Sequence, residues 1–319
     1  MIASGDVQAY TGSIRWYERA VEIDPEFGSA WYEIAQFWDG QMSITGILGG
    51  LVDMPREEMV RRYEEAMDNA IRFTKDDTTV LNYRASRAHM DMHLRKALRL
   101  NLEYMQLRPN DHWARDRHKL LLGKLNRSEE LVEYMQRVYE LDTRELVSVA
   151  RSLLSVAFSG DREAAEALAL AAEGLIGYNA IGLYQLHRAF LWSGNIAKGR
   201  EAFERLTASE MPESNLHLAR LRQLCAEGKV DEATKLYAEG QQTFADNLMV
   251  VWVAHTVMGE HQAAEDMWRI FDDQDVTQFN GVLQYPTFDP AQYPNLLAHL
   301  DEHGDEPGPV LKIPFRCND

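Results

Sequence analysis

The sequence predicts an all-α fold: a right-handed solenoid of about seven helix pairs followed by a non-repeat C-terminal cap. Three observations predict it. Gly160-Asp161, Gly194-Asn195 and Gly228-Lys229 recur 34 residues apart, with a shortened copy at Gly259-Glu260. Each pair stands where one amphipathic pattern stops and the next begins. Each is followed by small or apolar residues at helical spacing: Ala165, Ala169 and Ala172; Gly199, Phe203 and Leu206; Ala233, Tyr237 and Gly240; Ala264, Trp268 and Phe271. Strand-like alternation is nearly absent. Two helices around a glycine turn cannot bury their apolar faces alone, so such units stack.

In chain order, residues 6–23 form an amphipathic helix ending at Asp24-Pro25. Proline cannot continue a helix, and Ala20 is the small residue that lets a neighbouring helix approach. Ala30 to Trp38 follows, with Trp31, Ile34, Ala35 and Trp38 on one stripe. Too little chain precedes the first helix to supply a partner, so a face including Ile14, Tyr17 and Val21 is expected to lack an N-terminal neighbour. If Met1 is the true start, a homodimer through residues 6–23 is favoured. A missing upstream domain and a fold-back of the segment from Ile44 to Val52 are the alternatives.

Residues 39–58 (DGQMSITGILGGLVDMPREE) interrupt the period with a Gly-rich insertion. As a phosphate loop it fails, because TGILGG lacks the Lys-Ser/Thr ending and follows no strand. A surface loop packing Ile47 and Leu48 back onto the helices is the reading we adopt. Ala97, Asn101 and Tyr104 repeat the second-helix pattern up to Pro109. Further pairs cover 111–141, with a break near Gly123 to Ser128, then 143–174, 179–208, 213–243 and 246–273. Residues 276–319 leave the period. Tyr285-Pro286 and Asp289-Pro290 favour turns, Ala291 to His303 reads as one helix, and PGPVLKIPF as extended chain. The chain thus divides into a repeat domain, 1–275, and an extension, 276–319, expected to cap the apolar end of the last repeat.

With its 34-residue period and the segment YERAVEIDPEFGSAW, the chain resembles tetratricopeptide repeat proteins. The insertion after that segment, and the ending Tyr285-Pro286-x-Phe288-Asp289…Tyr293-Pro294…Leu297…Leu300…Gly304…Pro314…Cys317, narrow the likeness. They resemble the region C-terminal to class III adenylate cyclase or winged-helix regulator domains in bacterial multidomain proteins. The resemblance implies a concave groove, lined by first helices, that binds a partner. These residues include no cyclase or DNA-binding domain, so neither activity carries over.

Composition narrows the function classes. Lys and Arg total 33 against 50 Asp and Glu, a net charge of −17. That charge repels nucleic-acid phosphates and anionic lipid, so neither is an expected partner. The N-terminus lacks a secretory pattern and no apolar run reaches the ~20 residues a membrane helix needs. Cys225 and Cys317 form no metal spacing and read as reduced thiols of a cytoplasmic protein.

No catalytic constellation emerges, and no enzyme activity or cofactor is expected. His89 and His93 have an i, i+4 spacing, but the HExxH glutamate is absent and a helix break lies beside them, so no metal site is assigned. The groove carries the binding expectation. On the helix over 179–192, Leu183, Leu186 and Phe190 pack, while Ile181, Tyr184, Arg188 and Trp192 face inward. One period later Asn215, Leu218 and Arg222 take the matching offsets. Earlier repeats offer Tyr32, Gln36, Asn82, Ser86 and Asp116. Arg188 and Arg222, 34 residues apart, could hold a carboxylate bidentately, with Tyr184 and Asn215 as added donors. The bland alternative pairs both arginines with local glutamates. The expected function is a protein–protein interaction scaffold for a partner segment of unidentified sequence. A regulatory sensor domain binding a small molecule is the alternative.

Overall fold

A computed structural model describes residues 4–43, 54–141, 153, 156–177, 179–244, 247–306 and 309–318, with side chains left out over 4–13, 138–141, 241–242 and 244. Among the described residues there are fifteen α-helices, two 3-10 helices and no strand. No described helix is long and apolar enough to cross a membrane. The chain forms two compact units, residues 1–118 and 119–319. The insertion residues Ile44, Ile47, Leu48 and Val52, and the first helix of the pair expected over 143–174 (Leu153 and Val156 to Phe158 apart), lie outside the described residues.

The first unit contains α1 (Ser4–Ile23), α2 (Gly28–Ser43), α3 (Arg56–Phe73), α4 (Asp77–Met90) and α5 (Leu94–Leu107), and it takes in the start of α6 (His112–Lys124). From α1 to α5, each helix packs on the next. Its core joins Ile14 and Val21 of α1 to Ile34, Ala35, Phe37 and Trp38 of α2 and to Met59, Tyr63, Ala66 and Met67 of α3. This corrects two expectations. Ile14 and Val21 are buried and Tyr17 half-buried, so the face expected to lack a neighbour is covered, while Trp16 and Ile23 are exposed. Residues 39–43 are still helical, so the break in the period starts later than expected.

The second unit holds α7 (Ser128–Leu141), α8 (Arg162–Ile176), α9 (Ala180–Ser193), α10 (Ile196–Thr207), α11 (Glu213–Ala226), α12 (Val230–Phe244), α13 (Leu248–Met258) and α14 (His261–Gln274). The pairs α9–α10, α11–α12 and α13–α14 fall within two residues of their expected bounds. Gly160, Gly194, Gly228 and Gly259 all have left-handed backbones, with φ of 84°, 89°, 71° and 82°. Met92 (φ 55°) and Asn126 (φ 50°) stand at the same 34-residue interval upstream. At five of these six turns the next N–H closes the same 6→1 bond: His93 to Ala88 O, Arg127 to Leu122 O, Asn195 to Phe190 O, Lys229 to Leu224 O and Glu260 to His255 O, each at 2.8–2.9 Å. That is the Schellman closure, which satisfies the last carbonyls of a helix through one residue of positive φ.

After α14 the chain makes a 3-10 turn (Val276–Gly281), a second (Pro290–Gln292) and then α15 (Pro294–Glu302). The single helix expected over Ala291 to His303 is therefore split: Tyr293 is extended, and Pro294 starts a new helix at a position that needs no N–H. Asp272 of α14 caps it, its carboxylate accepting from the N–H of Asn295 (3.2 Å) and of Leu296 (2.8 Å). Phe279, Val282, Phe288, Tyr293, Leu296 and Leu300 are buried here, with Phe279 6.0 Å from the Trp268 ring. This part of the tail therefore packs on α14. Residues 309–318 do something else: they return to the C-terminal ends of α9, α11 and α13.

Candidate functional site

The return of the tail creates the site. Leu311 N–H donates to Pro286 O at 2.7 Å, and Cys317 N–H to Val257 O at 3.0 Å. The Asn318 amide donates to Met258 O at 3.0 Å. Cys317 is joined to Cys225 of α11 by a disulfide. The reduced thiols read from sequence are thus corrected: residues 92 apart are brought to a Cα separation of 4.6 Å by the tail's path, which no local pattern announces. At Gly259 an added Cβ would stand 2.6 Å from Asn318 O, so absence of a side chain lets the tail backbone lie on the end of α13.

Beneath this tail lies a narrow pocket, partly open to solvent and with room for about one water molecule, lined by Phe158, Arg188, Trp192, Arg222, Val253, Thr256, Val257, Tyr285, Thr287, Ile313 and Phe315. Arg188 and Arg222 are 5% and 3% exposed. Their guanidinium carbons lie 5.6 and 5.5 Å from the centre of the same Tyr184 ring, and both residues line this one pocket. Arg188 also stands 5.3 Å from the Phe158 ring and 5.7 Å from that of Tyr285. Its Nη1 donates to Gln185 Oε1 at 3.0 Å, and Nη1 of Arg222 donates to the Tyr184 hydroxyl at 2.9 Å. Among the described residues neither arginine has a carboxylate partner, so the expected pairing with local glutamates is absent. Burial pushes the Arg222 guanidinium below its ordinary range, and the positive charge of Arg188 adds to that.

A network supports this wall. His187, next to Arg188 on α9, is fully buried, with Nε2 3.2 Å from Gln223 Oε1. Burial, reinforced by Arg222 and then Arg188, depresses its pKa to about 3, so the ring is neutral. Gln223 in turn donates to Glu227 at 2.8 Å. Burial works against the charge of Glu227, but hydrogen bonds from Lys229, Gln223 and Arg200 outweigh it and hold its pKa at about 2.

The expected groove residues divide between the two units. In the second, Arg188, Arg222 and Trp192 line the cavity and Tyr184 backs it. Arg188 and Trp192 were expected on an open inner face; the tail buries them, Trp192 meeting Phe315 edge-on at 5.9 Å. Asn215 is buried at the start of α11 and does not line the cavity. In the first unit Tyr32, Asn82 and Ser86 gather around Arg117. The Arg117 side chain donates to Asn101 Oδ1 (2.7 Å), Ser86 Oγ (2.5 Å) and Asn82 Oδ1 (2.5 Å), while the Tyr32 hydroxyl pairs with Ser86 Oγ at 3.0 Å. All three guanidinium nitrogens are thereby engaged by neutral groups, with Tyr32 and Asn82 half-buried and Ser86 buried. Gln36 is half-buried and belongs to no such cluster; Asp116 is buried on α6. His89 lies in the last turn of α4 and His93 precedes α5, so a turn with Met92 at positive φ separates the two histidines where the sequence placed a helix break.

Sequence reasoning missed Phe158, Thr256, Tyr285, Thr287, Phe315 and Arg117. Two of these were within reach. Thr256 continues the column Arg188, Arg222 by one further period, and Phe158 precedes Trp192 by one period. The tail residues carry no such register. A scan of protein-family models gives no match to this chain, and comparison with characterised proteins gives no significant one.

Proposed function

We propose that this chain is a non-catalytic binding module of tetratricopeptide-like helical hairpins, recognising an acidic group through Arg188 and Arg222. The carrying observation is the burial of two arginines on one pocket, with no carboxylate partner for either among the described residues. Two like charges removed from water destabilise a fold unless something compensates them, and a bound anion compensates both. The 34-residue recurrence of the same turn geometry supports the repeat assignment.

Of the two functions the sequence allows, the enclosure favours the small-molecule sensor. An extended partner segment needs an open groove, whereas the tail lies across this one. A scaffold role remains for a partner that presents a single acidic side chain at the mouth. The disulfide supports an oxidising compartment over the cytoplasm expected from sequence. The test is equilibrium binding of a panel made of an acidic peptide, small carboxylates and inorganic phosphate. At least one should bind the wild type and lose about 30-fold or more in affinity in the Arg188→Ala/Arg222→Ala double variant at equal helicity. If no member binds in an arginine-dependent way, the proposal fails.

A further inference from the structure

We infer that residues 309–318 are a redox-controlled cover: reducing the Cys225–Cys317 disulfide releases them and opens the face that carries Arg188 and Arg222. The inference assigns a regulation to that face and rests on the acidic-group reading above only for what the opened face receives. Three observations carry it.

The first is how the cover is held. Residues 309–318 contain no helix or strand, and among them only Ile313 and Phe315 are buried. The segment is tied at two points. Leu311 N–H donates to Pro286 O, and Cys317 carries both the disulfide and an N–H bond to Val257 O. With both points tied, the stretch from Lys312 to Arg316 cannot leave. Once the disulfide is cut, two buried side chains and a few hydrogen bonds are set against the conformational freedom of an irregular segment. The cover then still rests in place, but it opens.

The second is what the cover closes. Ile313 and Phe315 line the same pocket as Arg188 and Arg222, and Phe315 meets Trp192 edge-on at 5.9 Å. With these side chains in place the pocket has room for about one water molecule. A carboxylate is larger than that, so it reaches the arginines only when Ile313 and Phe315 withdraw.

The third is that the bond can be addressed selectively. The chain has two cysteines, and both are in this disulfide. Cys317 is half-buried and Cys225 buried, so an external dithiol meets the Cys317 sulfur first. Its thiolate attacks that sulfur, a mixed disulfide forms, and Cys225 leaves as a thiolate that takes up a proton. The second thiol of the dithiol then displaces Cys317. The protein gains two electrons and two protons, and the dithiol is oxidised to its own disulfide.

Arginine modification by phenylglyoxal, mapped by mass spectrometry on the intact chain with and without dithiothreitol, tests this without any ligand. Reduction should make Arg188 and Arg222 react at least about tenfold faster, while Arg117, buried in the first unit, keeps its rate. Cys317→Ser should show the fast rates with no reductant present. Unchanged rates at Arg188 and Arg222 on reduction would overturn the inference. An equal rise at Arg117 would overturn it too, because it reports general unfolding and not release of the cover. Arginine-dependent binding of an acidic peptide or small carboxylate that is equal in both redox states sinks this inference and leaves the acidic-group reading standing. Faster modification on reduction with no arginine-dependent binding in either state sinks that reading and leaves the cover.

Discussion

At the scale of the residue, the backbone at positions 92 and 126 shows two effects of opposite sign. Both residues hold a left-handed conformation that costs an L side chain about 1 kcal/mol or more and glycine almost nothing. Asn126 keeps its side chain in a weak 3.4 Å contact with Ser128, so Asn126→Gly should raise stability by up to about 1 kcal/mol. Met92 is fully buried, and loss of a buried methionine costs about 2–5 kcal/mol, which outweighs the relief; Met92→Gly should therefore destabilise. Chemical denaturation of the two variants reads both signs. His187 gives the pH counterpart. Its folded pKa, about 3, lies below the unfolded 6.5, so the stability it contributes is present above pH 6.5 and lost as pH falls toward 3. Within that window the loss approaches about 1.4 kcal/mol per pH unit. Measured as wild type minus His187→Gln, which cancels the effect of the acidic surface, the difference in unfolding free energy should slope with pH only below 6.5. A flat difference would refute the neutral-histidine assignment.

At the scale of the element, the C-terminal tail does two jobs with separable energetics. Its first part is a cap anchored by Asp272. Asp272→Ala removes the acceptor for two N–H groups at the start of α15 and should cost about 1–2 kcal/mol, seen as a lower melting temperature. Its last part is a strap closed by the disulfide. A cross-link spanning 92 residues restricts the unfolded chain strongly, and Cys317→Ser should lose about 4 kcal/mol. Ile313, Phe315 and the bonds to Val257 and Met258 still hold the strap in that variant, so the far-UV spectrum of the folded protein should not change. A loss of helicity at low temperature would mean instead that the disulfide is needed to build α9, α11 and α13.

At the scale of the whole molecule, a net charge of −17 sets the surface against a site of the opposite sign. Salt screens both, with opposite consequences. Raising ionic strength should increase the melting temperature by relaxing self-repulsion, and should weaken any carboxylate bound between Arg188 and Arg222. Calorimetry and titration across a salt series check the pair of signs together.

The repeat was legible in the sequence because it is made locally. A turn with one residue of positive φ and a 6→1 bond involves only contiguous residues, and glycine announces it; at 92 and 126 it went unread because Met and Asn stand where glycine would. The pairs over 180–207 and 213–244 and the register of Arg188 with Arg222 follow from the same short-range periodicity. Tertiary structure decided which of these side chains meet. Arg117 gathers Tyr32, Asn82 and Ser86, which the sequence offered as groove residues, because a buried guanidinium takes whatever acceptors packing brings to it. The roof over the arginines likewise depends on contacts between residues 60 and 92 apart, Asn318 with Met258 and Cys317 with Cys225. Periodicity carries no information about such a path. It is selected by the aromatic surface, the Val257 and Met258 carbonyls at the end of α13 and the cysteine of α11, which come together only once the helices have packed.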